Sequence, residues 1–210
     1  MPKGRPQNPE LQEKTRQALL SAARQLLLDR SYKSITIREL ATLAGTQPAM
    51  ISYYFDNKLG LFLELLRETA SERRQQLDEI ANEVLEQPEY AFDILIDRII
   101  EIQLSQPWLF RLIQDDVISS ESDLRLRFSE EFPKLMKSGI IDLLERLQAQ
   151  GIVRDDLNLD YFVASFMGLI IFPLLAQPII RNPLGIDIET IGSTAWKQYV
   201  SQLLKKGIQA

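Results

Sequence analysis

The sequence predicts an all-α fold of about nine helices. Apolar residues recur at three- and four-residue spacing along most of the chain, and strand-like alternation is scarce. The glycines and prolines fall mostly at the ends of such runs, where helices stop and start. A composition 45% hydrophobic and 25% charged belongs to a globular protein, not to a disordered or fibrous one.

The first helix is expected from about Pro9 to Asp29, with Leu19, Leu20, Ala23, Leu26 and Leu27 on one face. A turn at Arg30–Ser34 follows. Thr36-Ile37-Arg38-Glu39 then has the form of a capping box, Thr36 capping the backbone and Glu39 reaching back to it. That helix should end near Gly45, since glycine suits the left-handed conformation after a helix. A further short helix is expected from Gln47-Pro48, proline being comfortable in a first turn, to about Tyr54. Ala41, Leu43, Ala44 and Ile51 can pack the two together. This capped, glycine-hinged pair is the outline of a helix-turn-helix and equally that of a structural αα-corner.

Asp56-Asn57-Lys58 opens a long helix reaching about Glu86, with Leu61, Phe62, Leu65 and Leu66 lining its first turns. Further helices are expected at Glu89–Ser105, Pro107–Ser119 and Ser122–Gln150, with a stop at Gly151. Two more, Asp160–Gln177 and Asp187–Lys206, complete the chain.

Residue usage narrows the function. Without cysteine there are no disulfides and no thiolate metal sites. Without histidine the commonest general base and the commonest transition-metal ligand are both missing. No GxxxxGK[ST], GxGxxG or GxSxG is present. No enzyme activity, metal or cofactor is expected. Asp93, Asp97 and Glu101 sit four apart, which reads as a solvated helix face, and Asp115-Asp116 and Asp155-Asp156 read as pairs that diverge or cap a helix. The start of the chain lacks a signal-peptide pattern, and its longest apolar stretch, Tyr161–Leu175, is too short to span a membrane, so a cytoplasmic location is expected.

The net charge of −5 conceals an asymmetry. Residues 1–60 hold nine Lys/Arg against five acids, net +4, which leaves −9 for the remainder. A basic quarter on an acidic body points to a polyanion partner for one end only.

Residues 36–62, TIRELATLAGTQPAMISYYFDNKLGLF, resemble the TetR/AcrR family of bacterial transcriptional regulators. The capped helix with LA and AG near its end, the small helix ending in aromatic-aromatic-Phe, and the following x-x-Lys with an apolar pair are all filled in register. The resemblance implies an N-terminal three-helix helix-turn-helix domain over residues 1–56 and a C-terminal helical domain for effector binding and dimerisation over 57–210. It implies a dimer that binds a near-palindromic operator in double-stranded DNA, most simply as a repressor, and is released by a small-molecule effector.

Carried over residue by residue, the resemblance makes Phe55 core and places Tyr53, Tyr54 and Lys58 at phosphates. Thr36 would meet a phosphate at its helix N-terminus, and Arg38 would reach a base or a phosphate. Gln47, Pro48, Ala49 and Met50 would read bases. Where Ser52 stands the family often has tyrosine, so one phosphate contact is lost. The Pro-Ala-Met surface offers thymine-methyl contacts and few hydrogen bonds. Pro2-Lys3-Gly4-Arg5-Pro6 is similar to an AT-hook core, in which Lys3 and Arg5 would enter a minor groove; a basic tail is the competing reading.

Tyr161–Phe172 is apolar nearly all round, so it must be buried on more than one side. Ala164 and Gly168 would let a second helix approach, and Ile188, Ile191, Ala195, Tyr199 and Leu203 form a stripe on the last helix. The family's four-helix homodimer interface fits both. The middle helices would surround the effector pocket, with Leu66, Trp108, Phe110, Leu112, Met136 and Phe166 as lining and Arg111 or Gln114 as polar anchors. Such a lining suits a hydrophobic or aromatic molecule. An all-helical enzyme or carrier, or an interaction adaptor, would carry the same helices without binding DNA.

Overall fold

The computed structural model describes residues 9–118, 121 and 123–208, with the side chains of 131–138, 207 and 208 outside that description. Eleven α-helices and no strand occur among the described residues. They are α1 (Pro9–Leu27), α2 (Ile37–Leu43), α3 (Ala49–Phe55), α4 (Lys58–Glu86), α5 (Ala91–Leu104) and α6 (Pro107–Leu112), then α7 (Asp123–Ala149), α8 (Leu159–Leu175), α9 (Gln177–Leu184), α10 (Ile188–Gly192) and α11 (Thr194–Ile208). One π turn, Ile113–Ile118, continues from α6, and 3-10 turns precede α2 and α5.

The count exceeds the expected nine because α9 forms in the stretch between the last two expected helices, and the last of them is broken at Ser193 into α10 and α11. Pro178 in the first turn of α9 marks one break, at which the chain bends by 80° between α8 and α9. Gly185, at φ +66°, ends α9 with its N–H on the Arg181 carbonyl. Asp187 caps α10 through the Thr190 N–H at 2.8 Å. Among the described residues no single helix is long and apolar enough to cross a membrane.

The chain packs as two units. The first takes in the described residues up to Thr69 together with those of Arg111–Glu130, and the second takes in 70–110 and 131–208. The division falls inside α4, whereas the expected boundary is residue 56. The reason is that Leu61, Phe62, Leu65 and Leu66 are buried and complete the core begun by Leu19, Leu20, Leu40 and Ile51. Each such side chain contributes about 1.5–3 kcal/mol by leaving water. Arg16 locks α1 to α4 through Glu64 at 2.5 Å and Glu68 at 2.8 Å, and lies over the Phe55 ring.

The second unit has its own core, from Leu77, Ile80 and Val84 of α4 through α5 and α7 to Phe162 and Phe166 of α8, whose rings stack at 5.7 Å. Asp93, Asp97 and Glu101 keep about half of their side chains exposed, as a solvated face would, and are paired as well. They form a ladder onto α11: Lys205 and Ser201 bond Asp93, Lys197 bonds Asp97 at 2.5 Å, and Glu101 lies 3.7 Å from the same amine.

Candidate nucleic-acid interface

The 36–55 segment folds through local signals. Thr36 Oγ1 accepts from the Glu39 N–H at 3.3 Å, and the Glu39 carboxylate accepts from the Thr36 N–H at 2.9 Å, which makes a complete capping box. Arg30 braces the same carboxylate at 2.5 Å. The bonds from Arg30 and Thr36 hold the Glu39 carboxyl at about 2, so their stabilising contribution is present above its ordinary range and is lost as pH falls through about 2. Gly45 takes φ +64°, and the Thr46 N–H returns to the Ala41 carbonyl at 2.9 Å, turning the chain into α3.

On α3 the inward residues Ile51 and Phe55 are buried, while Gln47, Pro48, Ala49, Ser52 and Tyr53 are exposed and Met50 and Tyr54 half-buried. The expected reading surface thus stands on a fixed base. Tyr53 is 60% exposed and packs edge-on against Tyr54 at 4.9 Å. Arg38 is exposed. Thr36 is exposed too, but both its N–H and its hydroxyl are already given to Glu39, so the N–H groups of Ile37 and Arg38 are the unpaired donors of that helix end. Lys3 and Arg5 lie outside the described residues.

Lys58 is placed differently from the expectation. Its amine donates to the carbonyls of Tyr32 and Ile35, both at 2.8 Å, and lies 4.2 Å from the Tyr32 ring centroid. Burial pushes it down, with the Asp116 charge opposing. Two of its three protons are therefore committed to fastening α4 to the turn before α2, and at most one remains for a phosphate. Sequence reasoning missed the group opposite. Asp116, fully buried on the π turn, accepts from the Tyr32 N–H at 2.7 Å, with the Lys33 charge also acting on it. Beside it Arg111 bonds the Leu28 carbonyl at 3.3 Å and Asp115 at 3.4 Å. The 111–118 segment is thereby docked on the head.

The expected effector lining is divided between the two units. Leu66 is core of the first unit, where Leu112 is also buried and Gln114 and Arg111 are exposed. Trp108 and Phe166 are buried in the second unit, Phe110 is half-buried there, and the Met136 side chain lies outside the described residues. One concavity of the second unit, about 430 Å³, is an open polar groove along α4 and α5 whose arginine, Arg98, is already paired with Glu83 and Glu101.

A smaller slot is the better candidate. Leu77 of α4, Ile99 and Ile102 of α5, Ile140 of α7 and Met167 of α8 close on two polar side chains, Arg73 and Gln103. Arg73 is 3% exposed, and desolvation lowers its guanidinium to about 10. Nη1 bonds Gln103 Oε1 at 3.1 Å, Nε bonds Gln106 Oε1 at 3.3 Å, and Nη2 is buried with no hydrogen-bond partner among the described residues. The available signal was spacing: Arg73 continues the apolar stripe Leu66, Ala70, Leu77.

Of the expected dimer residues, Ala164 and Gly168 are exposed on α8, with Tyr161 and Phe172 on the same stripe at 76% and 63% exposure. Ile188, Ala195, Tyr199 and Leu203 are exposed as well. Ile191 is the exception, buried in the core of its own unit because α10 turns that face inward.

Residues 19–65 match the family model of bacterial regulatory proteins, tetR family. The chain is 25% identical over 205 residues to YvkB, an uncharacterized HTH-type transcriptional regulator of Bacillus subtilis, with 93% of this chain and 98% of YvkB covered. It is 24% identical over 206 residues to the HTH-type transcriptional repressor NicS of Pseudomonas putida, covering 94% and 93% of the two. The solved structure of the transcriptional regulator FadR from Bacillus subtilis in complex with stearoyl-CoA shares the fold, with a TM-score of 0.72 and 18% identity over 92% of this chain and 99% of FadR.

Proposed function

We infer that the chain is a DNA-binding transcriptional regulator of the TetR family, a cytoplasmic homodimeric repressor released from its operator by a small-molecule effector. The observation that carries the DNA-reading part is the division of α3 into a buried base, Ile51 and Phe55, and an exposed tip, Gln47 to Ala49 with Ser52 and Tyr53. A rigidly seated tip can enter a major groove without first paying for order. Gln47, Pro48, Ala49 and Met50 read bases, with apolar contact to thymine methyls dominating. Tyr53, Tyr54, Arg38 and the α2 N-terminus hold phosphates, Ser52 contributes weakly, and Lys58 acts mainly by fixing the head.

Repression follows from occupancy of a promoter by two heads spaced for successive major grooves, roughly 34–36 Å or a multiple. The exposed stripes of α8 and α11 supply the dimer face. Effector control follows if a ligand prefers a state in which α4 is displaced, because α4 runs from Lys58 in the first unit to Glu86 in the second. The stearoyl-CoA bound to FadR, a protein of this fold, supports effector control in general but does not assign the effector.

The test is a footprint on the DNA upstream of the chain's own gene at two salt concentrations. A two-fold-symmetric protected site that weakens steeply as salt rises is expected. Protection that is absent at low salt there and on a genomic library selected for binding would sink the reading.

A further inference from the structure

We propose that the Arg73 slot is the effector site and that it takes a small organic anion, a single carboxylate on an apolar body; this rests on the effector-controlled reading above. The slot is built on two buried polar side chains, Arg73 and Gln103, set among Leu77, Ile99, Ile102, Ile140 and Met167. A guanidinium removed from water costs several kcal/mol unless an anion and full hydrogen bonding compensate it. Here the partners are two neutral glutamine oxygens, and Nη2 has none among the described residues. No carboxylate ion-pairs with Arg73 among the described residues; the nearest acidic influence is Glu72, its neighbour in sequence.

The two glutamines fix the plane of the guanidinium and leave one edge open. A carboxylate fits that edge, accepting from Nη2 and neutralising one charge with one charge. A dianion such as a phosphate monoester would bring a second charge into an apolar site with nothing to meet it. A neutral or cationic amphiphile would leave Nη2 as it is or repel it. The remaining walls are aliphatic and a methionine, so the body of the ligand is apolar and adaptable in shape.

The slot is closed down to about 10 Å³, room for roughly one water molecule. A ligand larger than water therefore has to part α4 from α5, α7 and α8. Gly139 of α7 allows the closed form, since a Cβ there would stand 3.1 Å from the Leu77 side chain. The closed slot with an unpaired Nη2 is then the ligand-free state, and occupation shifts α4.

The experiment is calorimetric titration of the full chain with sodium octanoate, octyl phosphate, 1-octanol and octyltrimethylammonium, alongside the operator footprint. The same titrations are run on Arg73→Met, which keeps length and loses charge. Octanoate is expected to bind the parent chain at least about tenfold more tightly than the alcohol and the cation, as one charge-assisted contact allows. Arg73→Met is expected to keep its melting temperature or raise it, to retain the footprint, and to lose that preference. If octanoate binding is absent, or is the same in Arg73→Met, the proposal is overturned. It is equally overturned if Arg73→Met melts lower and loses the footprint, which would make Arg73 a structural residue. Arg73-dependent octanoate binding that leaves the footprint intact upholds the anion site and refutes release by effector. Release by the alcohol or the cation alone refutes the anion site and upholds release.

Discussion

At the scale of single residues, the junction between α3 and α4 is the tightest point of the head. Asp56 holds φ +65° without being glycine, and the Asn57 N–H closes on the Phe55 carbonyl at 2.7 Å across it. A turn this sharp drives the Phe55 carbonyl onto Gly60, where an added Cβ would stand 1.9 Å from the oxygen. Backbone on both sides leaves nothing flexible to give way, so Gly60→Ala must open the junction. Its expected cost is about 2 kcal/mol or more, the range of substitutions that force a special backbone geometry apart. Because Phe55 seats the recognition helix, operator affinity should fall along with stability. Thermal unfolding and operator titration of the variant check this, and a chain that melts and binds like the parent would refute it.

At the scale of elements, the 111–118 turn is a brace that reaches the head through one carboxylate. Asp116 ties down the N–H group of Tyr32, while Lys58 ties down the carbonyls of Tyr32 and Ile35 from the opposite side. The turn that aims α2 is thus clamped between a buried acid and a half-buried amine. Asp116→Ala leaves the Tyr32 N–H without its acceptor, costing about 1–3 kcal/mol. Operator affinity is expected to drop about tenfold, whereas Asp116→Asn, which keeps an acceptor oxygen, should fall between the two. Anisotropy with labelled operator measures the order; equal affinities for all three would show that the brace does not reach the DNA-binding face. Little of this was legible beforehand. The helix-turn-helix was, because its signals are local: a Thr36–Glu39 cap three residues long, a glycine at the turn and a proline in the first turn of the next helix. Asp116 caps a turn 84 residues earlier, and the Asp93–Lys205 pair joins residues 112 apart. No periodicity within one helix announces such partners. Arg73 was visible in principle, as a charge on an apolar stripe, but it sits in the polar run Ser71-Glu72-Arg73-Arg74-Gln75-Gln76. The run reads as a surface until a fold puts its third residue inside.

At the scale of the whole molecule, the proposed reading surface of Pro48, Ala49 and Met50 carries few hydrogen bonds. One head alone then binds weakly, and specificity depends on two heads held at a fixed spacing. The second unit offers the means. Tyr161, Ala164, Gly168 and Phe172 line one exposed stripe of α8, and Ala195, Tyr199 and Leu203 line one of α11. A specific interface needs about 800 Å² from each partner, which aromatic and aliphatic side chains on two helices can supply. Gly168 separates this role from protomer stability, because a Cβ added there would meet nothing within 4 Å. Gly168→Arg should therefore leave the protomer folded while placing a charge and a long side chain where two helices would close. Sedimentation is expected to show a monomer with unchanged helical content. Operator binding should become weak and strongly dependent on protein concentration, because dimerisation now has to occur on the DNA. A Gly168→Arg chain that still sediments as a dimer would move the interface off this stripe of α8. A monomer that still bound the full operator as tightly as the parent would sever the link between pairing and reading, and the repressor mechanism would have to be built on a single head.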